Sequence, residues 1–274
     1  MAAGRSARAA PRRWLAVAAL TLASAASAQE IRIGGTGGAL GAMRLLATAY
    51  AQREPGARVT VADSLGTSGA IKAVARRALD IGLTARELDR DEMQPGIVAT
   101  EYARSPLVFA VSPKTPVSST SLSALADIYS GRTAAWPDGQ QTRPVLRQAG
   151  DGTTKQLRQM SPAMDLALTA AEQRPGMPFA VTDQEAADKT EAIPGALGLM
   201  SLGLILSEQR ALRPLRLDGV EPTLDNLAAG RYPWVSHYYM LTQRDAPPAV
   251  QRFIAYTQSA DGRAILLRAG NLAP

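Results

Sequence analysis

The sequence has no cysteine and a single histidine, His237, among its 274 residues. Without cysteine there are no disulfides, so stability rests on an apolar core. There is also no cysteine to carry a lipid at a cleavage point. One histidine excludes a metal site built on paired histidines. It also leaves any serine nucleophile without a recognisable base partner. No Walker loop, nucleophile elbow or metal-ligand spacing is present. No apolar run reaches the ~20 residues needed to span a bilayer. Repeats, low-complexity tails and long linkers are missing as well. The expectation is a protein that is not an enzyme and uses no cofactor and no metal.

What is there is an ordinary globular composition, 46% hydrophobic and 20% charged, long enough for one or two domains. The first 28 residues stand apart. Arg5, Arg8, Arg12 and Arg13 precede the apolar run Trp14–Leu22, and Ala-Ser-Ala closes the stretch at Ala28. A basic start, a short apolar centre and an A-x-A end describe a secretory signal peptide, with Gln29 as the expected mature start. Its four arginines lower the formal charge of the remainder from +6 by four, to +2. The high isoelectric point is therefore largely a property of this leader, and a nucleic-acid partner loses its main support.

Beyond the leader, strands and helices alternate. Ile31–Ile33 alternates as a strand and runs into the glycine loop of residues 34–38, followed by apolar residues at helical spacing from Ala39 to Tyr50. Arg58–Ala62 is a second strand, Asp63–Gly69 a turn rich in glycine and hydroxyls, and Ala70–Leu79 a helix. Asp80–Thr84 is a third strand, ending in the polar Ala85-Arg86-Glu87. Strand ends of this kind gather at the carboxyl edge of an open α/β sheet, where ligands bind. Further on, Pro106–Pro113 and Gly195–Met200 read as buried strands, Leu122–Tyr129 as a helix stopped by Gly131, and Arg143–Arg147 as a strand. Pro162–Arg174 is helical. Asp183–Lys189 reads as a solvated helix face, Tyr238–Thr242 as a strand and Pro248–Leu267 as a terminal helix. Trp136 reads as a packing residue, and His237 as structural.

The stretch Arg147-Gln-Ala-Gly-Asp-Gly-Thr-Thr154 leads straight into an amphipathic run. Glycines let the backbone turn its N–H groups inward, and a helix start adds unpaired donors and partial positive charge. Together they suit an anion or the polar end of a small ligand. The same pattern also serves as a plain turn with an N-cap.

Four stretches, in order, carry a family resemblance: the first strand with its glycine loop; Gly66-Thr-Ser-Gly-Ala-Ile-Lys72; Ile128-Tyr-Ser-Gly-Arg-Thr-Ala-Ala-Trp-Pro-Asp138; and Arg147 with Gly152-Thr153-Thr154, followed by Gly195-Ala-Leu-Gly198 and Arg231-Tyr-Pro233. Spread over nearly all of residues 30–270, they resemble the periplasmic phosphate-binding proteins of bacterial ABC importers, within the type II periplasmic-binding-protein superfamily. The resemblance implies an α/β fold of two lobes, each a mixed sheet flanked by helices, joined by two crossover strands. Residues 29–111 and 232–274 would form the first lobe and 112–231 the second. It implies a small phosphate-like anion as ligand, an inner-membrane ABC permease as partner, a periplasmic location and a monomer. Thr36, Gly37 and Gly38 would bind from the first loop, Thr67, Ser68 and Gly69 from the second, and Thr84 from the third. Arg147, Asp151, Gly152, Thr153 and Thr154 would close the site. Two departures bear on the ligand. Ala85 stands where the family has aspartate or serine, and Asp151 where it usually has serine. A carboxylate facing phosphate in a dry site is costly. Asp151 must therefore pair with Arg147 or Lys155, accept a proton from the ligand, or mark a different ligand. A sensor of the same fold, or an enzyme recruited onto it, are the alternative readings.

Overall fold

The computed structural model describes residues 30–274 beyond Met1, so the expected signal peptide over residues 1–28 lies outside the described range. Strand β1 (Glu30–Gly35) passes through Thr36 alone into helix α1 (Gly37–Arg53). Then follow β2 (Arg58–Val61), α2 (Gly66–Ala75), β3 (Ile81–Thr84) and the long β4 (Ile97–Val111). The middle of the chain holds β5 (Ser119–Thr120), α3 (Leu122–Ser130), β6 (Arg143–Pro144), β7 (Leu146–Arg147), α4 (Gly152–Gln159) and α5 (Pro162–Glu172). After these come β8 (Phe179–Ala180), α6 (Asp183–Ala192), β9 (Ala196–Ser201), α7 (Leu202–Ser207), β10 (Arg213–Pro214) and β11 (Arg216–Leu217). The chain closes with α8 (Leu224–Ala228), β12 (Val235–Gln243), α9 (Pro248–Gln258) and α10 (Ala260–Arg268).

The main sheet has the order β2-β1-β3-β12-β4-β9-β6. β1 pairs in parallel with β2 and β3, so their carboxyl ends lie side by side. β4 is the pivot of the fold. Its first part, to Pro106, pairs antiparallel with β12, and from Leu107 it pairs with β9 instead. The chain returns beside that crossing: Leu107 N–H donates to Trp234 O (3.0 Å), and the Tyr232 hydroxyl donates to Leu107 O (2.9 Å). Two neighbouring segments thus join two halves with separate cores. One core gathers Ile31, Ile33, Met43, Leu46, Leu83 and Phe253; the other gathers Phe109, Leu125, Tyr129, Met164 and Leu197. Each such large side chain contributes about 1.5–3 kcal/mol on burial.

Several expected boundaries shift for physical reasons. The glycine loop of residues 34–38 is a strand end joined to a helix start. Gly35, at φ +152°, lies so close to β3 that a Cβ would sit 2.6 Å from Leu83 N. The turn at 63–69 likewise gives its second half to α2. β4 starts nine residues before the expected Pro106, because its first part is half exposed and carries polar residues such as Thr100 and Glu101. The expected strand 143–147 divides at Val145, its two pieces pairing with β9 and β8. The expected terminal helix breaks at Ser259, whose hydroxyl accepts from Gly262 N–H (3.2 Å) and starts α10 afresh.

Candidate functional site

The short parallel pair of β7 and β8 sets Arg147 opposite Ala180. Both strands then lead into helices, so the starts of α4 and α6 lie together around Arg147. Arg147 as a whole is 8% exposed. Its Nη2 donates to Asp151 Oδ2 (2.7 Å) and its Nη1 to Asp183 Oδ1 (2.7 Å). The other oxygen of Asp151 caps α4, accepting from the N–H groups of Thr153 (3.0 Å) and Thr154 (3.3 Å). The other oxygen of Asp183 reaches into the opposite half of the molecule and accepts from Gly38 N–H in the first turn of α1 (3.0 Å). Next to it, the Gln184 amide donates to Gly37 O (3.0 Å).

Burial opposes the charge on Arg147, but the Asp183 and Asp151 carboxylates outweigh it and hold the guanidinium above its ordinary value. Burial pushes the Asp151 carboxyl up. Arg147 and the two capped N–H groups pull it down, the Asp183 charge pushes it up again, and the balance is upward.

Beside this cluster lies a cavity of about 390 Å³. One wall is the start of α2, with Ser64, Gly66, Thr67 and Ser68; the other holds Arg147, Gln148, Gly150, Asp151 and Gly152. No side chain caps α2 and no acid occupies its first turn, and its first residues Gly66, Thr67 and Ser68 line the cavity. Arg86 closes one side, held by Glu92 through both Nη1 (2.6 Å) and Nη2 (2.7 Å). That pairing holds the Glu92 carboxyl at about 2.

Of the expected site residues, Thr67, Ser68, Arg147, Asp151 and Gly152 therefore share one cavity. Thr36, Gly37 and Gly38 do not line it. Thr36 N–H donates to Leu83 O (2.9 Å), and the two glycines lie under Asp183 and Gln184. Gly69 packs inside α2, where a Cβ would be 2.9 Å from Leu65 Cβ. The Thr84 hydroxyl is fully buried and donates to Arg86 O (2.9 Å), so it braces its own loop. Thr153 and Thr154 spend their N–H groups on Asp151. Among the ways Asp151 was expected to resolve its charge, pairing with Arg147 is the one found, although the residue still lines the cavity.

Asp183 is the residue that sequence reading missed. Its helix was expected to be a solvated face, and Lys189–Glu185 does form a half-exposed i,i+4 pair (3.0 Å). Asp183 itself is 7% exposed. The available signal was Thr182-Asp-Gln-Glu185, a capping-box pattern in which Thr182 accepts from Glu185 N–H (3.1 Å). It marks one more helix start at the ligand edge of a sheet. The other weighed residues are structural here. Trp136 donates from Nε1 to Gly195 O (2.9 Å), and His237 Nδ1 lies 2.6 Å from Glu101 Oε1.

A family model described as a PBP superfamily domain matches residues 21–261. Among curated proteins, the phosphate-binding protein PstS of Borreliella burgdorferi is 22% identical over 224 residues, 77% of this chain and 78% of that one. PstS of Bacillus subtilis is 24% identical over 222 residues, 77% and 69% of the two chains. A Clostridium perfringens protein, solved with bound phosphate and described as a phosphate ABC transporter substrate-binding protein, matches with a TM-score of 0.76. It is 19% identical, and the match covers 90% of this chain and 100% of that one. The halves on either side of the β4 crossing are those of the two-lobe periplasmic-binding-protein fold. Matched by the family model over most of its length, the chain belongs to the PBP superfamily.

Proposed function

We propose that the mature protein is a periplasmic solute-binding protein that captures a small oxyanion, phosphate first, and delivers it to an inner-membrane ABC permease. The observation that carries the reading is the buried Arg147, set between the starts of α4 and α6 and lining one cavity with the start of α2. An anion taken from water is retained only where charge-assisted hydrogen bonds and helix-start N–H groups replace its hydration. The names of the relatives point the same way. In this reading residues 1–28 are a cleaved leader. Residues 29–111 with 232–274 form one lobe, and 112–231 the other. Thr67, Ser68, Arg147 and Gly152 bind the ligand directly. The protein acts as a monomeric binder without turnover. Among the described residues no helix is long and apolar enough to cross a membrane.

A second reading, favoured by Asp151 at the cavity wall, is a small ligand that brings a hydrogen-bond donor to that carboxylate. Calorimetry on refolded, ligand-stripped protein separates the two. The panel is phosphate, sulfate, molybdate and small organic anions. Phosphate is expected to bind, and binding of an organic anion alone would favour the second reading. No binding across the panel would remove the anion reading altogether.

A further inference from the structure

The Gly38 N–H at the start of α1, a donor an anion would use, is already taken by a group of this chain. Asp183 presents one oxygen to Arg147 Nη1 at 2.7 Å and the other to Gly38 N–H at 3.0 Å. One carboxylate therefore joins a cation of one half to a helix start of the other, which is the geometry of a bridging oxyanion. The site is shaped for it. α1 opens on Gly37 and Gly38, and a Cβ at Gly37 would lie 2.7 Å from Asp183 Oδ2 and 2.9 Å from Asp183 Cβ. α1 has no side-chain N-cap and no acid in its first turn, so the capping acceptor there comes from α6. Gln184 adds a bond to Gly37 O on one side and to Glu208 (2.8 Å) on the other, holding the start of α6 in place.

We propose that Asp183 is a resident competitor for the anion seat: it latches α1 to Arg147, and an incoming oxyanion gains that seat only by displacing it. Asp183 thereby sets both the affinity of the cleft and the charge its ligand must bring. A neutral or weakly basic ligand cannot replace two charge-assisted hydrogen bonds, whereas a dianion can. Asp151 occupies the remaining Arg147 nitrogen by the same chemistry (2.7 Å). It lies within one half, however, and so does not join the two.

Asp183→Asn keeps the shape and removes the charge. Two readouts test it. In ligand-stripped protein, small-angle scattering is expected to give a larger radius of gyration for Asp183→Asn than for the unaltered chain, because a neutral acceptor holds Gly38 and Arg147 together more weakly. In calorimetry, phosphate is expected to bind Asp183→Asn about tenfold more tightly or better, equivalent to about 1.4 kcal/mol or more. An unchanged radius would overturn the latch. Unchanged or weaker phosphate binding would overturn the competition and make Asp183 a mere support for Arg147. The affinity arm rests on the anion reading above and the scattering arm does not. If neither chain binds phosphate, that reading fails while the radius still decides on the latch. Should Asp183→Asn fold poorly, Asp183→Ser carries both measurements, since serine is well tolerated in a first helical turn.

Discussion

Asp151 serves two partners with one side chain, one oxygen capping α4 and the other meeting Arg147. Replacing it separates those roles. Serine still accepts from the N–H groups that open the helix, so Asp151→Ser is expected to change stability by less than about 1 kcal/mol in thermal unfolding. It also removes a buried negative charge from the cavity wall and frees one nitrogen of Arg147. Phosphate affinity in calorimetry is therefore expected to rise, and an unchanged affinity would mean that the carboxylate does not oppose the ligand. Arg147 and Gly152 stand out at this scale because a basic residue precedes glycine and hydroxyls at a helix start, a pattern that a plain N-capped turn shares. Asp183 does not, since an acid near the start of a polar helix has the same local signature whether it faces water or a buried guanidinium. Its partners are 36 residues away in Arg147 and 145 away in Gly38.

β4 and β12 are the elements on which the two halves meet, and they carry an ion-pair cluster just short of the crossing. Glu101 on β4 accepts from Arg104 Nε (2.8 Å) and Nη2 (2.6 Å), and His237 of β12 lies against it. The hydrogen bonds from Arg104, opposed by partial burial and helped by His237, hold the Glu101 carboxyl at about 2. A carboxyl held below its unfolded value stabilises the fold above that value and loses the contribution as pH falls through the folded one. The contribution of Glu101 is therefore expected to disappear between about pH 4.5 and about pH 2. Acid unfolding monitored by circular dichroism should be less steep in that window for Glu101→Gln. An identical acid profile would show the cluster to be energetically silent. Element identity was well marked in the sequence wherever an apolar period ran clear of glycine, as in α3 and α5. Boundaries blurred where glycine or proline served the sheet: Gly34 and Gly35 continue β1, and Pro144 sits where one apparent strand becomes two.

For the molecule as a whole, a ligand that binds only the folded state stabilises it by mass action. At a phosphate concentration one hundred times the dissociation constant, unfolding is expected to cost about 2.7 kcal/mol more. A melting temperature that does not move with added phosphate, in protein stripped of ligand, would contradict the proposed function. Separate cores gather around Phe253 and Phe109, and the hydrogen-bonded segments at Leu107 and Trp234 run between them.

By itself the sequence determined the alternation of strands and helices, the donor-rich strand ends and the basic residue placed among them. Those features are local, written in apolar period, glycine position and helix starts within a few residues of one another. Tertiary structure alone decided which of these ends share a cavity, and that the first turn of α1 is taken by a carboxylate from the opposite half. Charges and N–H groups become partners only when two sheets bring their edges within hydrogen-bonding distance, and residue types along a chain do not record that distance.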